Sequence, residues 1–113
     1  MTIELDIVEQ DDGVTRLNLA GRLDVQGASA VDMQFNVVSG SKKKVIVDLA
    51  GVDFIASLGI RTLVMSAKAI SSKGGRMVLL KPQANVEQAL KFAGIDSMIP
   101  IAKDLASATA MVS

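Results

Sequence analysis

The segment from Lys44 to Ser72, KVIVDLAGVDFIASLGIRTLVMSAKAISS, constrains the fold of this chain more than any other stretch. It opens with the apolar, largely β-branched run Val45 to Leu49, which only Asp48 interrupts. A run of this kind is typical of a strand that is buried on both faces inside a sheet. A helical pattern follows soon after it. The segment therefore predicts a central strand, a loop and a helix.

The loop and the start of the helix carry local signals of their own. Gly51 and Asp53 predict a turn, after which Phe54 and Ile55 return the chain to the core. Ser57 stands directly before the helical pattern, where its hydroxyl can accept the free backbone N–H groups of the first turn. Ser57 is therefore predicted to be the helix N-cap.

The helix after Ser57 has two apolar faces. The residues spaced to lie against the sheet are Ile60, Leu63, Val64, Ala67 and Ile70. A narrower strip on the other side consists of Leu58, Met65 and Ala69, with Arg61, Lys68 and Ser72 at its margins. An apolar strip left toward solvent is typical of a surface that binds a partner. We therefore expect this strip to be exposed.

A hairpin and a helix precede the central segment. Apolar and acidic residues alternate from Ile3 to Ile7, and a second short strand, Val14 to Leu19, follows a turn at Asp11 to Gly13. Apolar residues then recur at helical spacing, which predicts a first helix at Gln26 to Ser39 that ends at Gly40.

The second half of the chain continues to alternate strands and helices. Its predicted elements are a helix end at Gly74-Gly75, a buried strand at Met77 to Leu80, a short helix from Val86 that ends at Gly94, a strand at Met98 to Ile101, and a closing helix from about Lys103. Because Pro100 cannot donate to a ladder, the last strand is placed at a sheet edge. Met33, Met77 and Met98 lie in elements that need core residues, so we expect them to be buried.

The predicted order is β-β-α-β-α-β-α-β-α. Helices that alternate with apolar strands imply an α/β domain with a mostly parallel sheet, and the opening hairpin supplies the antiparallel part. The 113 residues suffice for one such domain with four helices and not for two domains.

Composition argues against several functions. Twelve basic and twelve acidic residues leave no net charge, which gives no electrostatic reason to expect nucleic acid or an anionic membrane as a partner. The triplet Lys42 to Lys44 is interpreted as a solvated loop. No apolar run approaches the roughly 18 residues of a membrane span, and the start MTIELDIVEQDD lacks the order of a signal peptide, so we expect a cytoplasmic protein.

Catalysis is not expected either. The chain has no histidine and no cysteine, and so lacks the commonest general base, the commonest thiol nucleophile and the usual zinc ligands. Its acidic residues are scattered over turns and helix faces. We predict no enzyme activity, no cofactor and no metal.

Two motifs resemble a known family. The run VIVDLAGVDFIASLGIRTLV resembles the central segment of STAS domains, the anti-sigma factor antagonist family, in which Asp-Ser-Ser/Thr-Gly-Leu opens a helix. Ser57, Gly59 and Ile60 match the serine, glycine and apolar positions of that motif. Ala56 and Leu58 depart from it, because the family usually has Asp and a second Ser or Thr there.

The second motif is the run from Ala20 to Asp24, which resembles the family's Gly-x-Leu/Ile-Asp turn close to the serine. Gly21 and Asp24 match that turn. By its position alone, Asp24 also fits a turn residue or the N-cap of the first helix. The two roles are compatible.

The resemblance implies a STAS fold and a regulatory role. In the family, a cognate kinase phosphorylates the serine that corresponds to Ser57. The implied partners are an anti-sigma factor serine kinase and a PP2C-type phosphatase. The candidate partner-binding residues are Asp24, Leu58, Gly59, Arg61, Met65 and Ala69.

Two functions follow from the same fold. The first is an anti-sigma factor antagonist that binds the kinase when unphosphorylated, so that a sigma factor is freed, and that phosphorylation of Ser57 switches off. The second is a constitutive interaction module, as in transporter-associated or sensory-complex members of the family, in which Ser57 is only an N-cap. Ala56 favours the second function because the carboxylate that normally accompanies the serine is missing.

Overall fold

The computed structural model of the chain describes residues 3–10 and 12–113. Within this part the strands are β1 (Ile3–Glu9), β2 (Thr15–Leu23), β3 (Lys44–Ile55), β4 (Arg76–Leu80) and β5 (Ile101–Ala102). The helices are α1 (Val25–Ser41), α2 (Ser57–Ser72), α3 (Ala84–Phe92) and α4 (Leu105–Val112), with a 3-10 turn at Ile95–Ser97. The predicted order of strands and α-helices is confirmed.

The strands form one mixed sheet in the order β1-β2-β3-β4-β5. β1 runs antiparallel to β2, and the pairs β2-β3, β3-β4 and β4-β5 are parallel. This confirms the opening hairpin and the mostly parallel sheet. Asp11, which begins the predicted turn of the hairpin, lies outside the described residues.

The sheet separates two apolar cores. Val45, Val47 and Leu49 of β3 belong to the larger core, which α1, α2 and α3 cover, whereas Ile46 belongs to a smaller core beneath α4. Successive strand residues point to opposite faces, so a strand covered on both sides needs a continuous apolar run. This is why the sequence of β3 could be interpreted as a buried strand.

Several predicted boundaries were wrong. β2 continues through Ala20 and Gly21 to Leu23, where the resemblance led us to expect a turn. α1 continues through Gly40 to Ser41, with Lys42 as its C-cap, and Gly40 is a solvent-exposed residue of the helix. β3 continues through Gly51 and Asp53 to Ile55, where we predicted a turn. Its pairing with β2 shifts register at two places, and at each of them β3 contains one residue more than β2, as in a β-bulge.

The methionines and the edge strand also differ from prediction. Met77 is buried, but Met33 is 77% exposed and Met98 is 52% exposed. The 3-10 turn takes up the chain before Met98, so β5 is shorter than predicted and begins at Ile101, after Pro100. Its position at the sheet edge is as predicted.

The lysine triplet is partly structured. Lys44 begins β3, and the Lys42 ammonium lies 3.1 Å from a carboxylate oxygen of Glu9. The predicted solvated loop is therefore reduced to a short connection.

No helix of the described residues is long and apolar enough to cross a membrane.

Substitution by alanine should change protein stability in opposite directions at two helical glycines, because only Gly59 lies where α2 packs closely on the sheet. A Cβ at Gly59 would lie 2.7 Å from the Leu23 carbonyl oxygen, whereas a Cβ at Gly40 would meet nothing within 4 Å. Gly59→Ala should therefore lower the free energy of unfolding by about 1 to 3 kcal/mol. Gly40→Ala should raise it by about 0.5 to 1 kcal/mol, because alanine is the better helix former. Urea unfolding of both variants measures the difference, and equal effects would show that α2 is not held this closely to β2.

Candidate functional site

The start of α2 is fixed by the backbone. Ala56 has the extended conformation of an N-cap, with φ −103° and ψ 172°, and α2 begins at Ser57. The Ala56 N–H donates to the Leu23 carbonyl at 3.0 Å, and the Ile60 N–H donates to the Ala56 carbonyl at 3.0 Å. The prediction that Ser57 is the N-cap was therefore wrong by one residue.

This shift leaves the helix without a side-chain cap. The side chain of alanine has no oxygen to accept the N–H groups of the first turn, and the structure shows no side-chain capping bond there. In an α-helix the N–H groups of the first turn, here those of Ser57, Leu58 and Gly59, have no intrahelical partner. Ser57 is exposed, and its hydroxyl is not used to cap the helix.

Helix α1 begins beside α2 because β2 and β3 are parallel neighbours that end together, with Leu23 opposite Ile55. Here the capping interpretation of Asp24 is confirmed. The Gly27 N–H donates to an Asp24 carboxylate oxygen at 2.8 Å, so Asp24 is the N-cap of α1. The Arg22 Nε lies 3.5 Å from the other oxygen of Asp24. The two helix starts thus differ, since one has a carboxylate cap and the other has none.

Two adjoining depressions lie at these helix starts. A shallow one is lined by Val25, Ala56, Ser57, Leu58 and Arg61. The second, which we call the interhelical groove, has a volume of about 450 Å³ and is lined by Ala28, Ser29, Asp32 and Asn36 of α1 and by Leu58, Arg61, Thr62, Met65 and Ser66 of α2. Leu58 and Arg61 line both depressions. Ser57 lines only the shallow depression, which shares these two residues with the groove.

The predicted apolar strip of α2 is only partly exposed. Met65 is 56% exposed and lies in the interhelical groove, as expected for a solvent-facing residue, and Ala69 is exposed outside the groove. Leu58 is half-buried and is therefore less exposed than the other two residues of the strip. Gly59 is buried against Leu23, which gives it a packing role.

Sequence reasoning missed the contribution of α1 to this surface. Ser29, Asp32 and Asn36 line the groove opposite Met65. They lie within the predicted first helix, and no function was predicted for them. The helical spacing of these polar residues indicates that they share one face of α1. It does not show that α2 lies beside that face.

Comparison with known proteins gives consistent matches. A family model described as STAS domain matches residues 7–108. The putative anti-sigma factor antagonist BtrV of Bordetella bronchiseptica is 28% identical over 98 residues, which cover 87% of this chain and 78% of that protein.

Solved structures share the fold. The crystal structure of an anti-sigma factor antagonist from Mycobacterium paratuberculosis superposes with a TM-score of 0.87 at 22% identity, covering 98% of this chain and 94% of that one. The Bacillus cell fate determinant SpoIIAA in its phosphorylated form superposes with a TM-score of 0.73 at 15% identity, covering 96% and 99% of the two chains.

The difference between the two helix starts should appear in how substitutions at each of them change the free energy of unfolding. Ser57→Ala removes a hydroxyl that does not cap α2, so the free energy of unfolding should change by less than about 0.5 kcal/mol. Asp24→Ala removes a carboxylate that does cap α1 and should cost about 0.5 to 2 kcal/mol. Thermal unfolding of both variants provides the comparison. A loss for Ser57→Ala as large as that for Asp24→Ala would show that Ser57 caps its helix after all.

Proposed function

This chain belongs to the STAS domain family, and from that membership we propose that it is an anti-sigma factor antagonist. In the unmodified form it binds an anti-sigma factor serine kinase, which then releases a sigma factor. The kinase phosphorylates Ser57, and the modified protein no longer binds. A PP2C-type phosphatase restores the unmodified form. In this scheme the chain is a binding protein and a phosphorylation substrate, not an enzyme.

The observation that carries the proposal is the position of Ser57. A serine that caps a helix has its hydroxyl engaged with backbone N–H groups, and it would have to give up that bond to receive a phosphate. Here Ala56 holds the cap position, and the exposed Ser57 hydroxyl makes no capping bond. The hydroxyl is accessible to a kinase without any loss of helix stability.

The surroundings of Ser57 are also suited to a phosphate group. The first-turn N–H groups and the helix dipole favour an anion at this end by about 0.3 to 1 kcal/mol. The first turn of α2 contains no acidic residue that would repel it. Arg61 lies one turn further along α2 and lines the same shallow depression as Ser57. The folded structure should therefore tolerate the modification.

Phosphorylation would change the surface that a partner meets. A phosphoserine adds about −1.5 to −2 charges at neutral pH. The phosphate would lie in the shallow depression, which Arg61 lines together with the interhelical groove. A partner that fits against the unmodified Ser57 and pairs with Arg61 would then meet a bulky anion and a neutralised arginine. This gives the switch a direct electrostatic cause.

The second candidate function is a constitutive STAS interaction module. Ala56 favours it, because the resemblance leads us to expect a carboxylate beside the serine for kinase recognition. In such a module the interhelical groove would bind its partner permanently, and ATP would have no effect on the complex.

The two functions differ in how the complex responds to charge and to ATP. Ser57→Asp introduces a permanent anion at a helix start that tolerates it, so the circular dichroism spectrum should be unchanged while kinase binding weakens at least about tenfold. Ser57→Ala should bind like the wild type. Isothermal titration with the purified host kinase measures both affinities. Normal binding by Ser57→Asp would contradict the switch.

The response of the complex to ATP tests the same switch, with Ser57→Ala as the control variant. Addition of MgATP to the complex should release wild-type protein and leave Ser57→Ala bound, because only the former can be phosphorylated at this position. Equal release of both proteins would place the modified residue elsewhere.

The groove itself can be tested independently of phosphorylation. Met65→Lys should weaken kinase binding about tenfold or more, because loss of about 1.4 kcal/mol suffices for that factor. Its melting temperature should change little, since Met65 is already 56% exposed. Met33→Lys is the matched control, because Met33 is an exposed methionine of α1 that does not line the groove. Equal binding by both variants would exclude the groove as the kinase-binding surface.

A further inference from the structure

Strand β1 forms an open edge of the sheet. It lies at the end of the strand order and pairs only with β2. All of Ile3–Glu9 pair with β2 in an uninterrupted register from Ile3 opposite Gly21 to Glu9 opposite Thr15. In an antiparallel pair the backbone groups of alternate residues point away from the partner strand. β1 therefore presents a straight row of hydrogen-bonding groups to which no described strand pairs.

One face of β1 is apolar and incompletely covered. Ile3 and Leu5 pack against the larger core but are only partly buried, and Ile7 is 42% exposed. The apolar side chains at an edge strand become fully buried only when a further strand lies beside them. The edge of the sheet therefore has apolar area left to bury.

The other face of β1 carries two acidic residues, Glu4 and Asp6, and the partly buried Val8. Glu4 and Asp6 are exposed, and Asp6 lies opposite Asn18, which in turn lies opposite Asp48 on β3. Helix α4 packs over β3, β4 and β5 and leaves this corner of the sheet uncovered. No ion pair involves Glu4 or Asp6 within residues 3–10 and 12–113.

Glu9 differs from these two acids because its charge is already compensated. It accepts a hydrogen bond from the Thr15 hydroxyl at 2.9 Å and lies 3.1 Å from the Lys42 ammonium. These two contacts lower the pKa of the Glu9 carboxyl. The charge available to a partner is therefore that of Glu4 and Asp6.

A second copy of this chain is a poor occupant of the edge. If two β1 strands paired antiparallel about Leu5, Glu4 of each copy would lie opposite Asp6 of the other. If they paired about Asp6, the two Asp6 side chains would be opposite each other. Like charges directly opposite each other destabilise a sheet. In both of these registers the acidic residues disfavour self-pairing, whereas a basic strand would pair with them favourably.

We propose that β1 binds an extended segment of another protein, in which basic and apolar residues alternate, as an additional strand of the sheet. The basic side chains pair with Glu4 and Asp6, and the apolar side chains cover Ile3, Leu5 and Ile7. Main-chain hydrogen bonds to an exposed edge supply affinity, and alternate side chains supply specificity. This site uses neither Ser57 nor the interhelical groove, so it stands independently of the proposed function.

The probe is a synthetic peptide of alternating lysine and valine with the same seven-residue length as β1. Titration of isotope-labelled protein, followed by NMR, should give saturable shifts of the β1 amides. Two versions of the peptide, N-methylated on one or the other set of alternate residues, separate strand addition from simple charge attraction. The version whose methyl groups face β1 should bind at least about tenfold more weakly, and the other should bind normally. Equal binding by both versions, or no saturable shifts, would overturn the proposal.

Variants of the protein test the charge pattern. The double variant Glu4→Lys, Asp6→Lys should weaken peptide binding at least about tenfold. Asp96→Lys, which removes an exposed acid of the 3-10 turn, should leave it unchanged. Circular dichroism should be the same for both, because all three positions are exposed. Equal weakening by the two variants would show that only net charge matters and would overturn the proposed site.

Discussion

The close contact between α2 and the end of β2 fixes the geometry of the whole candidate site. The Ala56 N–H donates to the Leu23 carbonyl at 3.0 Å, and Gly59 approaches the same carbonyl so closely that a Cβ would lie 2.7 Å from it. A larger residue at Gly59 would push the helix away from the sheet. The position of Ser57 therefore depends on a glycine that has no functional group.

This contact explains why the Ser57 hydroxyl does not cap α2. Because the backbone of Ala56 is bound to β2, the cap position falls on Ala56, and the serine becomes the first residue of the helix. The adjacent helix has the opposite arrangement, since Asp24 both caps α1 and pairs with Arg22. An uncapped helix start beside a capped one creates a local preference for an anion at Ser57. The same parallel strand pair also holds the two helices next to each other, which forms the groove.

The sequence was informative wherever periodicity decided the structure. The buried run of β3, the core face of α2 and the order of the elements all follow from apolar spacing, and Asp24 was correctly interpreted as a cap. Features set by tertiary contacts were not predictable in this way. The turn predicted at Gly51 and Asp53 is a strand because β2 pairs with it through register shifts. The N-cap of α2 was predicted one residue too late, at Ser57, because its position is determined by the contact of Ala56 with Leu23.

Exposure was the least predictable property. Periodicity locates a helix face but does not show which neighbour covers it, so Met33 and Met98 were wrongly assigned to the core. For the same reason the part of the groove contributed by Asp32 and Asn36 was missed. These residues acquire a role only because α1 and α2 lie side by side.

The central claim is that the hydroxyl of Ser57 is a phosphate acceptor, not a helix cap. The most direct test is phosphosite mass spectrometry of the intact protein purified from its own host, before and after treatment with a serine phosphatase. We expect a phosphorylated fraction that is modified at Ser57 alone and that the phosphatase removes. Protein that remains unmodified at Ser57 after incubation with the host kinase and MgATP would contradict it.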